Sequence, residues 1–123
     1  MDQRWVMAFS SCRYSLIFGK SEARVELVIE RSDASENKRI FDTLCAEKAA
    51  IEAVFGEPLT WQRKDERKKC QVVFASPFDS FDPTNWPQMI AWMSEHIRKL
   101  EAAFKEPLAR LNRQIRTHDE EGI

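Results

Sequence analysis

Two histidines and three cysteines are all that the 123 residues contain of either type. Cys12, Cys45 and Cys70 are odd in number and no two stand at C-x-x-C spacing. They read as reduced thiols of a cytoplasmic protein, not as a disulfide framework. His96 and His118 lie far apart with no patterned cysteine partner, which argues against a zinc site, and no other metal or cofactor is expected. Net charge is also lacking, since 19 basic and 20 acidic side chains leave −1. A protein that lives on the DNA backbone is usually clearly basic, so a nucleic-acid site here has to be a local patch. Long apolar runs are missing as well. The opening MDQRWVMAFSSCRYSL has no basic start followed by an apolar stretch, so neither a signal peptide nor a membrane span is expected.

What remains is an ordinary globular composition, 43% hydrophobic and 32% charged. The length suits one core, with residues 1–116 as a single α+β domain and 117–123 as a frayed tail. Three strands are expected first, at 4–9, 13–18 and 23–30. The stretch ARVELVIE alternates, placing Ala23, Val25, Leu27 and Ile29 on one face and Arg24, Glu26, Val28 and Glu30 on the other. Asp33 or Ser35 then caps a helix over 36–55, whose stripe is Ile40, Phe41, Leu44, Ile51 and Phe55. Gly56 ends it and Pro58 blocks continuation. Residues 59–63 and 69–74 read as a second hairpin around the loop KDERK. Asn85 caps a last helix with Trp86, Ile90, Met93, Ile97, Leu100, Phe104, Leu108, Leu111 and Ile115 along its stripe, and Pro107 predicts a kink or break near Lys105 and Glu106.

The expected order is β-β-β-α-β-β-α, an antiparallel-rich two-layer sandwich with both helices on one face of the sheet. Strands 23–30 and 59–63 would run parallel if they were neighbours. Trp61, Phe55, Leu27, Ile97 and Phe104 are expected to share the core.

No catalytic constellation converges in this pattern. Glu66-Arg67-Lys68 has the letters of a nuclease motif, but it falls at a hairpin tip where side chains diverge into water, so a metal-dependent nuclease ranks last. Cys45 and Cys70 sit at core-like positions, as free cysteines commonly do. Arg63, Lys64, Arg67, Lys68 and Lys69 form a basic hairpin able to track a phosphate backbone, broken by Asp65 and Glu66. On the sheet face that the helices leave open, Ile17, Val28 and Val73 would make an apolar spot among Arg24 and Glu26. Such a face suits a protein partner or a second copy.

Three stretches also resemble a known family: ARVELVI, then NKRIFDTLCAEKAAIEAVFGEPLTWQR, then DPTNWPQMIAWMSEHIRKLEAAF. The marks are Arg24-Val25-Glu26-Leu27, the Ile51-Glu52…Phe55-Gly56 helix end with Leu59-x-Trp61 behind it, and Trp86 with Trp92. They are similar to a bacterial family, domain of unknown function 4268, from about Trp5 to Leu111. In that family the domain often ends longer proteins whose N-terminal part looks like a PD-(D/E)XK restriction-type nuclease, and these 123 residues carry no such part. The resemblance implies an accessory domain in a prokaryotic defence setting and transfers no catalytic residue. The expected function is a non-catalytic protein-interaction or dimerisation domain, with nucleic-acid binding by the basic hairpin as the alternative.

Overall fold

The computed structural model describes the backbone of residues 4–8 and 12–121 and the side chains of residues 12–114. The fold is α+β. Three strands come first, β1 (Arg4–Ala8), β2 (Arg13–Phe18) and β3 (Glu22–Ile29). Two helices follow, α1 (Ala34–Cys45) and α2 (Lys48–Phe55), then β4 (Thr60–Gln62) and β5 (Cys70–Pro77). A 3-10 turn at Pro83–Asn85 leads into α3 (Trp86–Glu121).

The sheet runs β1-β2-β3-β5-β4 with every neighbouring pair antiparallel. Strands 23–30 and 59–63 are not neighbours, so the condition for their parallel pairing is not met. The two strands point the same way, but β5 lies between them. β5 matches β3 over eight residue pairs, whereas β4 is three residues long and pairs only with Val73, Val72 and Gln71. The long strand takes an inner place and the short one closes the edge, a common way to blunt an open edge.

Register decides which side chains meet. Tyr14, Leu27 and Val72 stand in one row, Leu16, Val25 and Phe74 in the next, and Ile29 stands opposite Cys70. Onto these pack Ile40, Phe41 and Leu44 of α1, Ile51 and Phe55 of α2, and Leu100, Phe104, Leu108 and Leu111 of α3. Trp61 and Ile97 are only partly buried against this core, while Leu27, Phe55 and Phe104 are fully inside it. A smaller cluster of Ala23, Met89 and Met93 continues the core toward the start of α3.

Three local expectations are corrected. The helix over 36–55 is two helices, because the chain turns at Ala46 and Glu47, where the Glu47 N–H bonds back to the Leu44 carbonyl at 2.9 Å. The turn frees α2 to pack against α3 while α1 stays on the sheet. Asn85 does not cap α3; its side-chain amide donates to the Asp79 carbonyl at 3.0 Å, and Asp82 caps the 3-10 turn. The helix α3 continues through Pro107, so of the kink or break expected there the break is absent. Asp33 caps α1 as expected, its Oδ1 accepting from the N–H of Ser35 at 2.9 Å and of Glu36 at 3.4 Å.

Candidate functional site

The expected interaction residues Ile17, Arg24, Glu26, Val28 and Val73 do share the face turned away from the core, since Ile17 pairs with Arg24 and Glu26 with Val73. The apolar spot, however, is not open. Ile17, Val28 and Val73 are 5%, 1% and 6% exposed. Glu26 is buried too, at 2%, and its Oε2 accepts from Gln71 Nε2 at 3.3 Å. Arg24 Nε lies 3.8 Å from the same oxygen and 3.4 Å from Glu22 Oε2. Ser15, directly opposite Glu26, is fully buried and its Oγ has no hydrogen-bond partner. Ile17, Val28 and Val73 are therefore buried together with Glu26, Gln71 and Ser15 on a face that was expected to be open.

The basic hairpin is built differently from a free charged loop. Lys38 of α1 inserts its ammonium into it, donating to the backbone carbonyls of Arg63, Lys64 and Arg67 at 2.6, 2.7 and 2.6 Å. The neighbouring Asn37 is fully buried. It donates to the Lys68 carbonyl at 3.0 Å and to the Arg31 carbonyl at 3.0 Å, and accepts from the Arg31 N–H at 2.8 Å. Arg63 is spent on Asp42, at 2.9 and 3.1 Å, and on Asp65. The hydrogen bonds from Arg63 hold the Asp42 carboxyl below its ordinary value, and those to Asp42 and Asp65 push the Arg63 guanidinium up. Lys64 has φ 53, the left-handed region. Arg67 and Lys68 are exposed, while Lys64 and Lys69 are half-exposed. Glu66 stands at the exposed tip, as expected.

At the other candidate groups the chemistry is committed to structure. The Cys70 thiol is fully buried, with Arg63 O at 3.2 Å and Lys38 Nζ at 3.4 Å. His96 stacks on Trp92, with centroids 4.5 Å apart, and on Phe74 at 5.3 Å. Its Nδ1 is 2.7 Å from the Trp92 carbonyl, which can only accept, so Nδ1 carries the hydrogen. Glu52 ties α2 to β4, since its Oε2 accepts from the Leu59 N–H at 2.8 Å and from Trp61 Nε1 at 3.2 Å. The Leu59 bond, helped by Trp61, holds that carboxyl below its ordinary value. Among the described residues no group of three or more His, Cys, Asp and Glu could hold a metal ion, and no helix is long and apolar enough to cross a membrane.

One exposed apolar corner was not anticipated. Phe81, Trp86 and Ile90 are 68%, 51% and 56% exposed. Trp86 and Ile90 are one turn apart on α3 and therefore on one helix face. The Trp86 indole donates to the Ser80 carbonyl at 2.8 Å, which brings it beside Phe81. Phe81 also lines an open groove of about 530 Å³ together with Lys20, Ser21, Pro77, Phe78 and Asp79. The loop is stiffened from within. Asp79 Oδ1 accepts from the Phe81 N–H at 3.0 Å, and Ser80 Oγ donates to the Gly19 carbonyl at 2.6 Å. The sequence placed Trp86 and Ile90 on the core stripe; the buried residues at this end are Met89 and Met93.

The fold and these surfaces define an α+β domain built on an antiparallel sheet, with one locked basic loop and one exposed apolar corner. The chain belongs to the family described as domain of unknown function (DUF4268), whose family model matches residues 3–108. No curated protein and no solved structure matches the chain.

Proposed function

We propose that this chain is a non-catalytic accessory domain that associates with a second copy of itself through the corner formed by Phe81, Trp86 and Ile90. In this reading the helices form one layer and the sheet the other, and the recognition surface lies at the end where the 78–85 loop joins them. The observation that carries the proposal is a self-complementary surface. An exposed Phe81 stands beside a groove bounded by Lys20 and Asp79, so one copy supplies the knob, the hole and both signs of charge that a twofold contact requires.

The non-catalytic part is supported by the way candidate groups are used. Cys70 faces backbone carbonyls, His96 lies stacked between aromatic rings, and Glu66 and Lys68 project from a loop tip. The sheet face is not preferred, because Ile17, Val28 and Val73 have almost no apolar area left to bury. Phe, Trp and Ile together offer about 300 Å² per copy, below the roughly 800 Å² per partner of a standard interface, so association is micromolar or weaker. The resemblance to domains that end restriction-type nucleases fits an accessory role in a bacterial defence protein, where weak pairing would bring two attached domains together.

Sedimentation velocity over a wide concentration range tests the proposal. Wild type should shift toward a dimer as concentration rises, and Phe81→Ser with Trp86→Ser should remain monomeric while keeping its circular dichroism. A wild-type protein that stays monomeric throughout defeats the self-association and leaves the corner to a different protein.

A further inference from the structure

The loop between β4 and β5 turns its positive side outward. The carbonyls of Arg63, Lys64 and Arg67 point at the Lys38 ammonium, and that of Lys68 points at the Asn37 amide. There are no cis peptide bonds among the described residues. In a trans peptide the N–H points opposite to the C=O. The N–H groups of Lys64, Asp65, Lys68 and Lys69 therefore face away from the Lys38 ammonium and the Asn37 amide, and Arg67 and Lys68 of the same loop are exposed. Lys64 sits in the left-handed region, and a left-handed residue within turn backbone is a geometry in which successive N–H groups form an anion-binding concavity. Lys38 adds a further positive charge beneath the loop. Asp42 and Asp65 share the single Arg63, so one acid charge of that trio and Glu66 at the tip oppose Lys38, Lys64, Arg67, Lys68 and Lys69.

We infer that the outer surface of residues 63–69 binds the phosphate backbone of nucleic acid, independently of the self-association proposed above. The loop sequence RKDERKK holds no apolar residue that could enter a bilayer. It also holds no aromatic residue to stack on bases, and Trp61 is engaged with Phe41 and Phe104 in the core. Contact is therefore made to phosphates and is independent of sequence.

Fluorescence anisotropy with a labelled duplex of about 20 base pairs, titrated with the full chain in rising salt, tests this. Four phosphate contacts, from Lys64, Arg67, Lys68 and Lys69, give a log–log salt slope of about −3.6, or roughly a 150-fold loss of affinity between about 50 and 200 mM salt. The combined variant Lys64→Gln, Arg67→Gln and Lys68→Gln leaves one contact and a loss of about fourfold over the same range. These side chains lie outside the core, and circular dichroism confirms that the fold is kept. Absence of binding at the lowest salt overturns the inference, and so does a variant that binds with the wild-type slope. Binding of vesicles containing phosphatidylserine without binding of the duplex also overturns it, in favour of a membrane surface.

Discussion

Replacing Lys38 by methionine should unlock the basic loop while leaving the core in place. The side chain still reaches as far as Cε and loses the ammonium that three carbonyls hold at 2.6–2.7 Å. A hydrogen bond to a charged group contributes about 1.5–3 kcal/mol, so three would give roughly 5–9 kcal/mol if water were excluded. Two of the three are exposed to solvent, which can replace the ammonium, and holding the lysine chain still costs up to about 2 kcal/mol in rotamer freedom. The net loss is then about 2 kcal/mol, a shift of roughly 30-fold in the population of the open loop. Trypsin reads this directly, because Lys64, Arg67, Lys68 and Lys69 are all sites for it. When opening is fast relative to cleavage, the cleavage rate follows the open population, so the variant's loop should be cut about 30-fold faster at equal trypsin. Mass spectrometry assigns the cuts to the loop. Equal cleavage rates in wild type and Lys38→Met would refute the claim that the ammonium holds the loop shut.

Leu27→Ala, at a fully buried position of the main core, should destabilise by about 2–5 kcal/mol in urea unfolding. Glu26→Ala should cost about 2–3 kcal/mol, because Gln71 and Arg24 lose their buried acid, and a value under about 0.5 kcal/mol would show that the far face is only solvated. The Leu59 N–H holds the Glu52 carboxyl below its ordinary value, so its contribution is complete above the unfolded value and is lost as pH falls through the lower folded value. Trp61 fluorescence should report this as an acid transition that Glu52→Gln flattens. Asp42, held down by Arg63 from 3.8, behaves in the same direction, and Asp42→Asn should remove its share of the acid sensitivity.

Much of the core was readable from the sequence because its signal is periodic. The alternation of Val25, Leu27 and Ile29 and the helical spacing of Ile40, Phe41 and Leu44 each point to one buried face, and those faces meet. The break between α1 and α2 was not readable, since Ala46, Glu47 and Lys48 carry no glycine or proline and the stripe runs on to Ile51 and Phe55 in phase. The place of β5 was hidden for another reason: pairing depends on strand length and on which partner competes, not on chain order. Trp86 and Ile90 were misplaced because they satisfy the same three-and-four spacing to Met93 that Met89 does, and only packing chooses between them. Lys38 and Asn37 did leave one trace. Asn37 stands three residues before Ile40 and four before Phe41, a polar side chain at a core position, which in a helix asks for a partner from elsewhere.

The most direct test of the self-association is a charge exchange across the groove. Lys20→Asp makes the groove wholly acidic and Asp79→Lys makes it wholly basic, so each variant opposes like charges in a twofold contact and should be monomeric by sedimentation velocity at concentrations where wild type dimerises. Mixing the two variants places an acid opposite a lysine at both ends of the contact and should restore a dimer, formed from one copy of each. A mixture that sediments as monomer while wild type dimerises would contradict this contact.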